Sequence, residues 1–278
     1  MITIRPMTIS DLPLGLKLAR QAGWNQIESD WRRFLGLQPD GCFVGELDGE
    51  AVATTAAFIF DDVAWLAMVL VEIDARRKGV ATALLKHALE FLDKRGVQTI
   101  RLDATAAGQP VYERLGFVPE YQLTRYEGIA PQVDPQPQVT QAGPGCFADI
   151  AAFDHRMRGT PREKMLTRLF TESPQGVRVI RENNRLEGYA TARSGANATL
   201  IGPCIATDRA GPVLLRDALG HCAGRPVFID VPRDNAPAPA VAETSGLKVQ
   251  RHFTRMCRGR RLQDNVAAIW ASSGPEKG

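Results

Sequence analysis

No two cysteines in this chain of 278 residues are spaced Cys-x-x-Cys, and the five present (Cys42, Cys146, Cys204, Cys222, Cys257) are odd in number and widely scattered. That pattern argues against both a disulfide framework and a thiolate zinc site. The four histidines, His87, His155, His221 and His252, are equally dispersed, so no metal centre is expected. The longest apolar run, Val63 to Val71, has nine residues, half of what a membrane-spanning helix needs. The opening Met1-Ile-Thr-Ile-Arg-Pro alternates like a strand and lacks the charged start and apolar stretch of a signal peptide. No Gly-x-x-x-x-Gly-Lys-Ser/Thr occurs, which disfavours an ATPase or nucleotide kinase. Charge of one sign is also missing in excess: 34 Lys and Arg stand against 31 Asp and Glu, a net of +3. That is too even for an obligate nucleic-acid binder, though a local basic patch can still hold a phosphorylated ligand. With 44% hydrophobic and 23% charged residues, wholesale disorder is excluded. The expectation is a cytoplasmic protein with no membrane and no nucleic-acid partner.

What is present divides into two halves around a proline-rich stretch, 128–145, which carries four prolines and four glutamines among few bulky apolar side chains. Proline removes amide donors and favours extended chain, so this reads as a semi-rigid linker between residues 1–127 and 146–278. It contains a formal Gly143-x-Gly145-x-x-Ala148 match to a dinucleotide fingerprint. Pro144 deletes an amide that such a turn needs, and no strand is expected before it, so the match is set aside.

The first half has a clear pattern. Ile2–Arg5 reads as a strand. Ser10 is positioned to cap a helix carrying Leu12, Leu16 and Ala19, and Trp31, Phe34 and Leu35 mark a second helix. Cys42–Leu47, the Asp48-Gly49 turn and Ala51–Phe60 form a hairpin. Strand Val63–Val71 comes next, then a helix from Val80 to Arg95, ended by Gly96. Strand Thr99–Asp103, helix Pro110–Leu115 and strand Gln122–Tyr126 complete the order β-α-α-β-β-β-α-β-α-β.

The second half repeats this order. Leu84-Leu-Lys-His-Ala-Leu89 matches Leu214-Leu-Arg-Asp-Ala-Leu219. Leu123-Thr-Arg-Tyr126 matches Phe253-Thr-Arg-Met256, and Leu115-Gly-Phe117 matches Ser245-Gly-Leu247. Repeats of this length are duplicated domains. Asp103 has a counterpart in Asp230 and Arg125 in Arg255, which marks them as framework. Two features survive only in the first half: the long connection Glu72–Thr82, shortened to Ala206–Pro212, and Tyr112, replaced by Ala242. What one half alone retains is the better candidate for chemistry.

The connection Val69-Leu70-Val71-Glu72-Ile-Asp-Ala-Arg76-Arg77-Lys78-Gly79-Val80-Ala81-Thr82 leaves a buried strand and enters an amphipathic helix. Gly79 and Ala81 keep side chains clear, so successive amides can converge on an anion at the positive end of the helix. Arg76, Arg77 and Lys78 add charge where a pyrophosphate would sit.

With Leu102-Asp-Ala104 and Tyr112-Glu-Arg-Leu-Gly-Phe117, this stretch resembles the GNAT family of acyl-CoA-dependent N-acyltransferases. The resemblance covers residues 1 to about 127 well, and the second half looks like a degenerate copy, as in tandem GNAT proteins. It implies an α/β (α+β) fold of two tandem domains, each a mixed, mostly antiparallel sheet flanked by helices. It further implies acetyl-CoA as cofactor, pairing of Val69, Leu70 and Val71 with the pantetheine arm, and a pyrophosphate held by Arg76, Arg77, Lys78, Gly79, Val80, Ala81 and Thr82. Tyr112 becomes the general acid for the departing thiolate, and the amide of Val69 or a neighbour polarises the carbonyl.

Glu72 is the candidate base, although it reads equally as a solvated loop carboxylate. Trp24 and Asn25, in the Gly23-Trp-Asn-Gln26 connection between the first two helices, are candidates for the acceptor site or, equally, a core plug. Arg156 or Arg158 would be contacts from the second half. Cys42 reads as a small buried strand residue rather than a nucleophile. The expected partner is a small-molecule or peptide amine, and the chain is expected to be a monomer or homodimer. An acyl-CoA-binding sensor without turnover is the alternative.

Overall fold

The computed structural model describes residues 1–278. The first half contains β1 (Ile2–Pro6), α1 (Leu12–Gln21), α2 (Glu28–Leu37), β2 (Cys42–Leu47), β3 (Glu50–Phe60), β4 (Val63–Val71) and α3 (Val80–Asp93). It ends with β5 (Thr99–Ala104), α4 (Gln109–Glu113) and β6 (Val118–Ile129). The second contains β7 (Val139–Gln141), α5 (Phe147–Arg158), α6 (Glu163–Glu172), β8 (Arg178–Glu182), β9 (Arg185–Arg193), β10 (Thr199–Ala206) and α7 (Gly211–His221). It continues through β11 (Pro226–Pro232), α8 (Pro237–Thr244), β12 (Lys248–Gly259) and β13 (Ile269–Ala271). The class expected from the sequence is what the chain adopts.

Three local expectations need correction. Ser10 is not the cap of α1: a short 3-10 turn precedes the helix, and the Thr8 amide and hydroxyl both donate to the Asp11 carboxylate. The proline-rich stretch is not all linker, because β6 runs into it to Ile129 and Val139–Gln141 pairs antiparallel with β8. A short strand therefore does precede Gly143, but the chain then forms the 3-10 turn Pro144–Cys146 rather than a phosphate-binding turn.

The larger difference is that both halves build one sheet, in the order β1-β2-β3-β4-β5-β12-β6-β11-β10-β9-β8-β7, with β13 attached to β10. The last long strands are exchanged. β12, from the second half, pairs with β5, while β6, from the first, pairs with β11, and the two lie antiparallel to each other at a pseudo-two-fold centre. The exchange explains the framework residues shared by the halves. Arg125 on β6 makes a bidentate pair with Asp230 on β11, both bonds 2.7 Å, and Arg255 on β12 does the same with Asp103 on β5 at 2.8 and 2.9 Å. Each arginine thus finds the carboxylate of the other half. All four residues are buried or nearly so, and such pairs in a dry interior fix register through their geometry.

Helix α3 lays Leu84, Leu85, Ala88, Leu89 and Leu92 on one face of the sheet against Leu66, Ile100 and Leu102. On the opposite face Trp31 and Phe34 of α2 pack with Leu18 and Phe58, and Met165 and Leu169 of α6 join them from the second half. The halves therefore share core as well as sheet.

Candidate active site

Strand β4 sets the geometry. Its parallel pairing with β5 stops at Trp65↔Arg101, so the strands splay and the β5-facing edge of β4 has no strand partner beyond that point. On its other edge the register with β3 slips between Thr54↔Leu70 and Ala56↔Ala67, and Met68 sits at φ +55°. This bulge re-aims the main chain just where Val69 begins. Val69 and Val71 turn their half-buried side chains toward the α3 face, while Met68 and Leu70 face α2.

The bend after β4 is shaped by two left-handed positions, Arg77 (φ +62°) and Gly79 (φ +85°), with Gly79 at the cap of α3. Glycine adopts this conformation without the Cβ penalty. None of the amides from Arg77 to Thr82 donates to a backbone or side-chain acceptor. They include the free N–H groups of the first helical turn, where the helix dipole favours negative charge. Arg77, Lys78, Gly79 and Thr82 are exposed, Ala81 is half-buried and Val80 anchors the turn in the core. Arg76 behaves differently from its neighbours: its Nε donates to the Val71 carbonyl at 3.1 Å, which ties the bend to the end of β4.

A cavity opens between the splayed strands. Leu66–Val69 of β4 line one side, with Asp103, Thr105 and Tyr112 opposite. Trp24, Asn25 and Gln26 from the α1–α2 connection close one wall. Arg125 on β6, Arg251 and Phe253 on β12, and Pro275 and Glu276 from the segment after β13 complete it. The second half thus contributes to the wall, but not through the residues expected. Arg158 is buried and does not reach the cavity, and Arg156 lies over the ring of Phe153.

Tyr112 is half-buried, edge-on to Phe117 at 5.9 Å between centroids, and its hydroxyl has no partner within the protein. Burial pushes the phenol up to about 12, which keeps it protonated. Glu72 does not line the cavity; it forms an ion pair with Lys17 of α1, and its amide donates to the Val52 carbonyl. Trp24 faces the cavity. Asn25 borders it too, but its side-chain carbonyl accepts the amides of Asn197 (2.8 Å) and Ala198 (3.0 Å), and its Nδ2 donates to the Ala198 carbonyl at 2.9 Å. That amide is a clasp between the halves, already committed. Nothing in the sequence sets Gln26 apart from its neighbours, yet its Oε1 is buried at the cavity without a hydrogen-bond partner. Cys42 is buried and its thiol pushed up to about 12 by desolvation, the opposite of an activated nucleophile.

The matching place in the second half is filled. Strands β10 and β11 also splay, after Ile201↔Ile229, but β13 pairs with β10 in the gap, Cys204↔Ala271 and Ile205↔Ile269. Trp270, fully buried, lies so close to α7 that a Cβ on Gly211 would come within 1.8 Å of the indole. The amides of Ala210 and Gly211 already donate to the Thr207 carbonyl. Ala242 is core. Beyond β13 the chain runs on into the centre of the molecule. The Ser272 amide donates to the Asp230 carbonyl, the Pro275 carbonyl accepts the Trp65 indole N–H at 2.9 Å, and Glu276 pairs with Arg193 at 2.7 Å and with Lys277.

Two family models match, the acetyltransferase (GNAT) family over residues 14–117 and an acetyltransferase (GNAT) domain over 150–271. Holothin acyltransferase of a Pseudoalteromonas species is 26% identical over 99% of this chain and 94% of its own length. The ribosomal protein bS18-alanine N-acetyltransferase of Escherichia coli is 30% identical over 42% of this chain and 81% of its own. A crystal structure from Pyrococcus horikoshii matches with a TM-score of 0.84 at 24% identity, covering 100% of this chain and 96% of that one. A tandem GNAT protein from the clavulanic acid biosynthesis pathway gives 0.66 at 16% identity, covering 95% of this chain and all of that one. The chain belongs to the GNAT family of acetyltransferases and carries two GNAT domains in tandem.

Proposed function

We propose that the protein transfers an acetyl group from acetyl-CoA directly to the amine of a small molecule, in a ternary complex assembled by the first half. The single observation that carries this is the set of unbonded amides from Arg77 to Thr82, one bend away from the open edge of β4 and the cavity of Tyr112. A diphosphate fits that bend because the amides need acceptors and the helix end favours negative charge. When bound, acetyl-CoA supplies a thioester carbonyl, which a neutral amine can attack, and a thiolate leaving group. The free edge of β4 at Val69–Val71 suits an extended amide-bearing arm, and a β4 amide at the bulge offers a donor to the developing oxyanion. With the cofactor bound, Tyr112 would supply a proton for the thiolate, and the proton lost by the amine nitrogen would leave through solvent and restore the phenol.

In this reading residues 1–127 bind the cofactor, and residues 146–278, with their own splay filled, serve as wall. The match to holothin acyltransferase runs through that wall, whereas the match to the bS18-alanine enzyme covers less than half of the chain. A cavity walled by both halves favours a small amine over a protein terminus. Glu72, paired with Lys17, is left as a loop carboxylate.

The test is thiol release from acetyl-CoA across a panel of amines. Tyr112→Phe should cost on the order of 100-fold in turnover with cofactor affinity retained. Gly79→Glu should abolish cofactor binding, through backbone strain and repulsion of the diphosphate. Saturable cofactor binding with no thiol release by any amine would replace the transferase reading with that of a sensor.

A further inference from the structure

The cavity wall holds four charged side chains, Asp103, Glu276, Arg125 and Arg251. Three have their countercharge in direct contact: Asp103 has Arg255, Glu276 has Arg193 and Lys277, and Arg125 has Asp230. Arg251 has none. Its Nε donates to the Gln250 side-chain carbonyl at 2.9 Å, and Gln250 in turn donates to Glu127, so the nearest carboxylate is reached only through a neutral amide. The groups facing it are Arg125, Asp230 and Glu127. Partial burial, together with the charge of Arg125, lowers its proton affinity below that of an ordinary guanidinium. The two free faces of an arginine fork beside a second arginine make a place for an anion, and a planar carboxylate matches such a fork.

The other unsatisfied group at the cavity is of opposite type. Gln26 Oε1 is buried and accepts nothing from the protein, so it needs an N–H donor. An amine supplies one. A buried acceptor without a donor and a cation without an anion, at one cavity, ask for the two ends of one kind of molecule.

We infer that the acceptor is a small amine that also bears a carboxylate, with Arg251 holding the carboxylate and Gln26 orienting the amine. Arg251 is a specificity-determining residue contributed by the second half, which gives that half a role in choosing the acceptor although it has no open cofactor cleft. The inference rests on the transferase reading above and names its substrate class.

The experiment compares amino acids with their carboxamides by thiol release from acetyl-CoA, the pairs being alike in shape but not in negative charge, with each rate referred to the neutral-amine concentration because the carboxamide's amine has the lower pKa. The wild-type protein should favour the acid of a pair by at least about 10-fold in kcat/KM, and Arg251→Gln should raise KM for the acid by about 10- to 100-fold with kcat nearly unchanged. The KM for the carboxamide and for acetyl-CoA should not move, and Arg251→Lys should recover part of the preference. Thiol release with carboxamides as good as with acids, or an equal loss for both in Arg251→Gln, overturns the inference and leaves the transferase reading standing. No thiol release with any amine overturns both.

Discussion

The exchanged arginine–aspartate pairs look equivalent in sequence but are not equivalent in energy. Asp230 takes both bonds of Arg125 and is its one hydrogen-bond partner; otherwise that guanidinium meets the faces of Phe228 and Phe253, each 5.1 Å from the ring centroid, and Glu276 and Asp103 act on it without a bond. Converting Asp230 to Asn therefore strands a buried cation. Loss of one partner from such a pair costs about 3–5 kcal/mol. Arg255 is better supplied. Besides Asp103 it donates to the Tyr121 hydroxyl at 2.7 Å and the Ser272 hydroxyl at 3.3 Å, lies 3.8 Å from Asp264 and covers the Trp65 ring. Asp103→Asn leaves that arginine another carboxylate, so its cost should be about 1.5–3 kcal/mol, the range of a charged hydrogen bond lost with its surroundings intact. Urea titrations followed by circular dichroism, with the slope held equal, give the two differences. Replacing both members of the Arg125–Asp230 pair by Met and Leu should recover most of the loss, because no charge then stays buried. An Asp103→Asn variant as destabilised as Asp230→Asn, or more so, would refute the claim that the supply of second partners sets the cost.

The same geometry yields three further outcomes. Because burial holds the Tyr112 phenol up to about 12, turnover should rise as the amine loses its proton and show no alkaline fall around pH 10, the ordinary range for tyrosine; a limb centred there would mean a solvated phenol. Trp270→Ala should destabilise the fold by about 3–5 kcal/mol, yet calorimetry should still count one coenzyme A per chain, since the amides of Ala210 and Gly211 at the head of α7 are already bonded and Pro212 has none; a second equivalent would contradict this. Iodoacetamide at neutral pH should label the half-buried Cys146 and spare Cys42 and Cys204, with activity retained; inactivation that tracked modification of Cys42 would reopen a covalent route.

The shape of the bend before α3 was legible because it is local. Arg76 to Thr82 are neighbours in sequence, the strand before them is continuously apolar, and glycine at the cap of α3 announces a left-handed residue. The strand order was not legible. β6 and β12 both read correctly as strands, but which neighbour each takes depends on pairings between residues 97 to 160 positions apart. Asp103 and Asp230 were recognisable as shared framework, and the sequence could not reveal that each serves the arginine of the other half. Asn25 shows the limit for side chains. A polar residue in a glycine-led loop suits a binding site or a clasp equally, and the decision rests with Asn197 and Ala198, in another domain. Ser272-Ser-Gly-Pro-Glu-Lys-Gly278 carries no bulky apolar side chain. It is buried because Arg193, Arg162 and Trp65, from three distant elements, meet its polar groups.

That segment also accounts for how the halves came to differ in use while sharing a fold. A splay between two parallel strands exposes apolar side chains and unpaired main chain, and an empty one must be hydrated at a cost unless something fills it. In the second half β13 fills it, giving β10 a new partner and burying Trp270 completely. Continuing from that plug, the chain delivers Pro275 and Glu276 to the wall of the first half's cavity. The second domain's splay is thus filled by the stretch that helps to shape the cavity proposed as the first domain's acceptor site. The two features are therefore coupled mechanically. Substitutions that loosen Trp270 should disturb acceptor KM through the displaced Glu276 while leaving the Arg77–Thr82 bend, and with it the cofactor KM, untouched. A Trp270→Phe variant that shifted cofactor KM and not acceptor KM would break that argument.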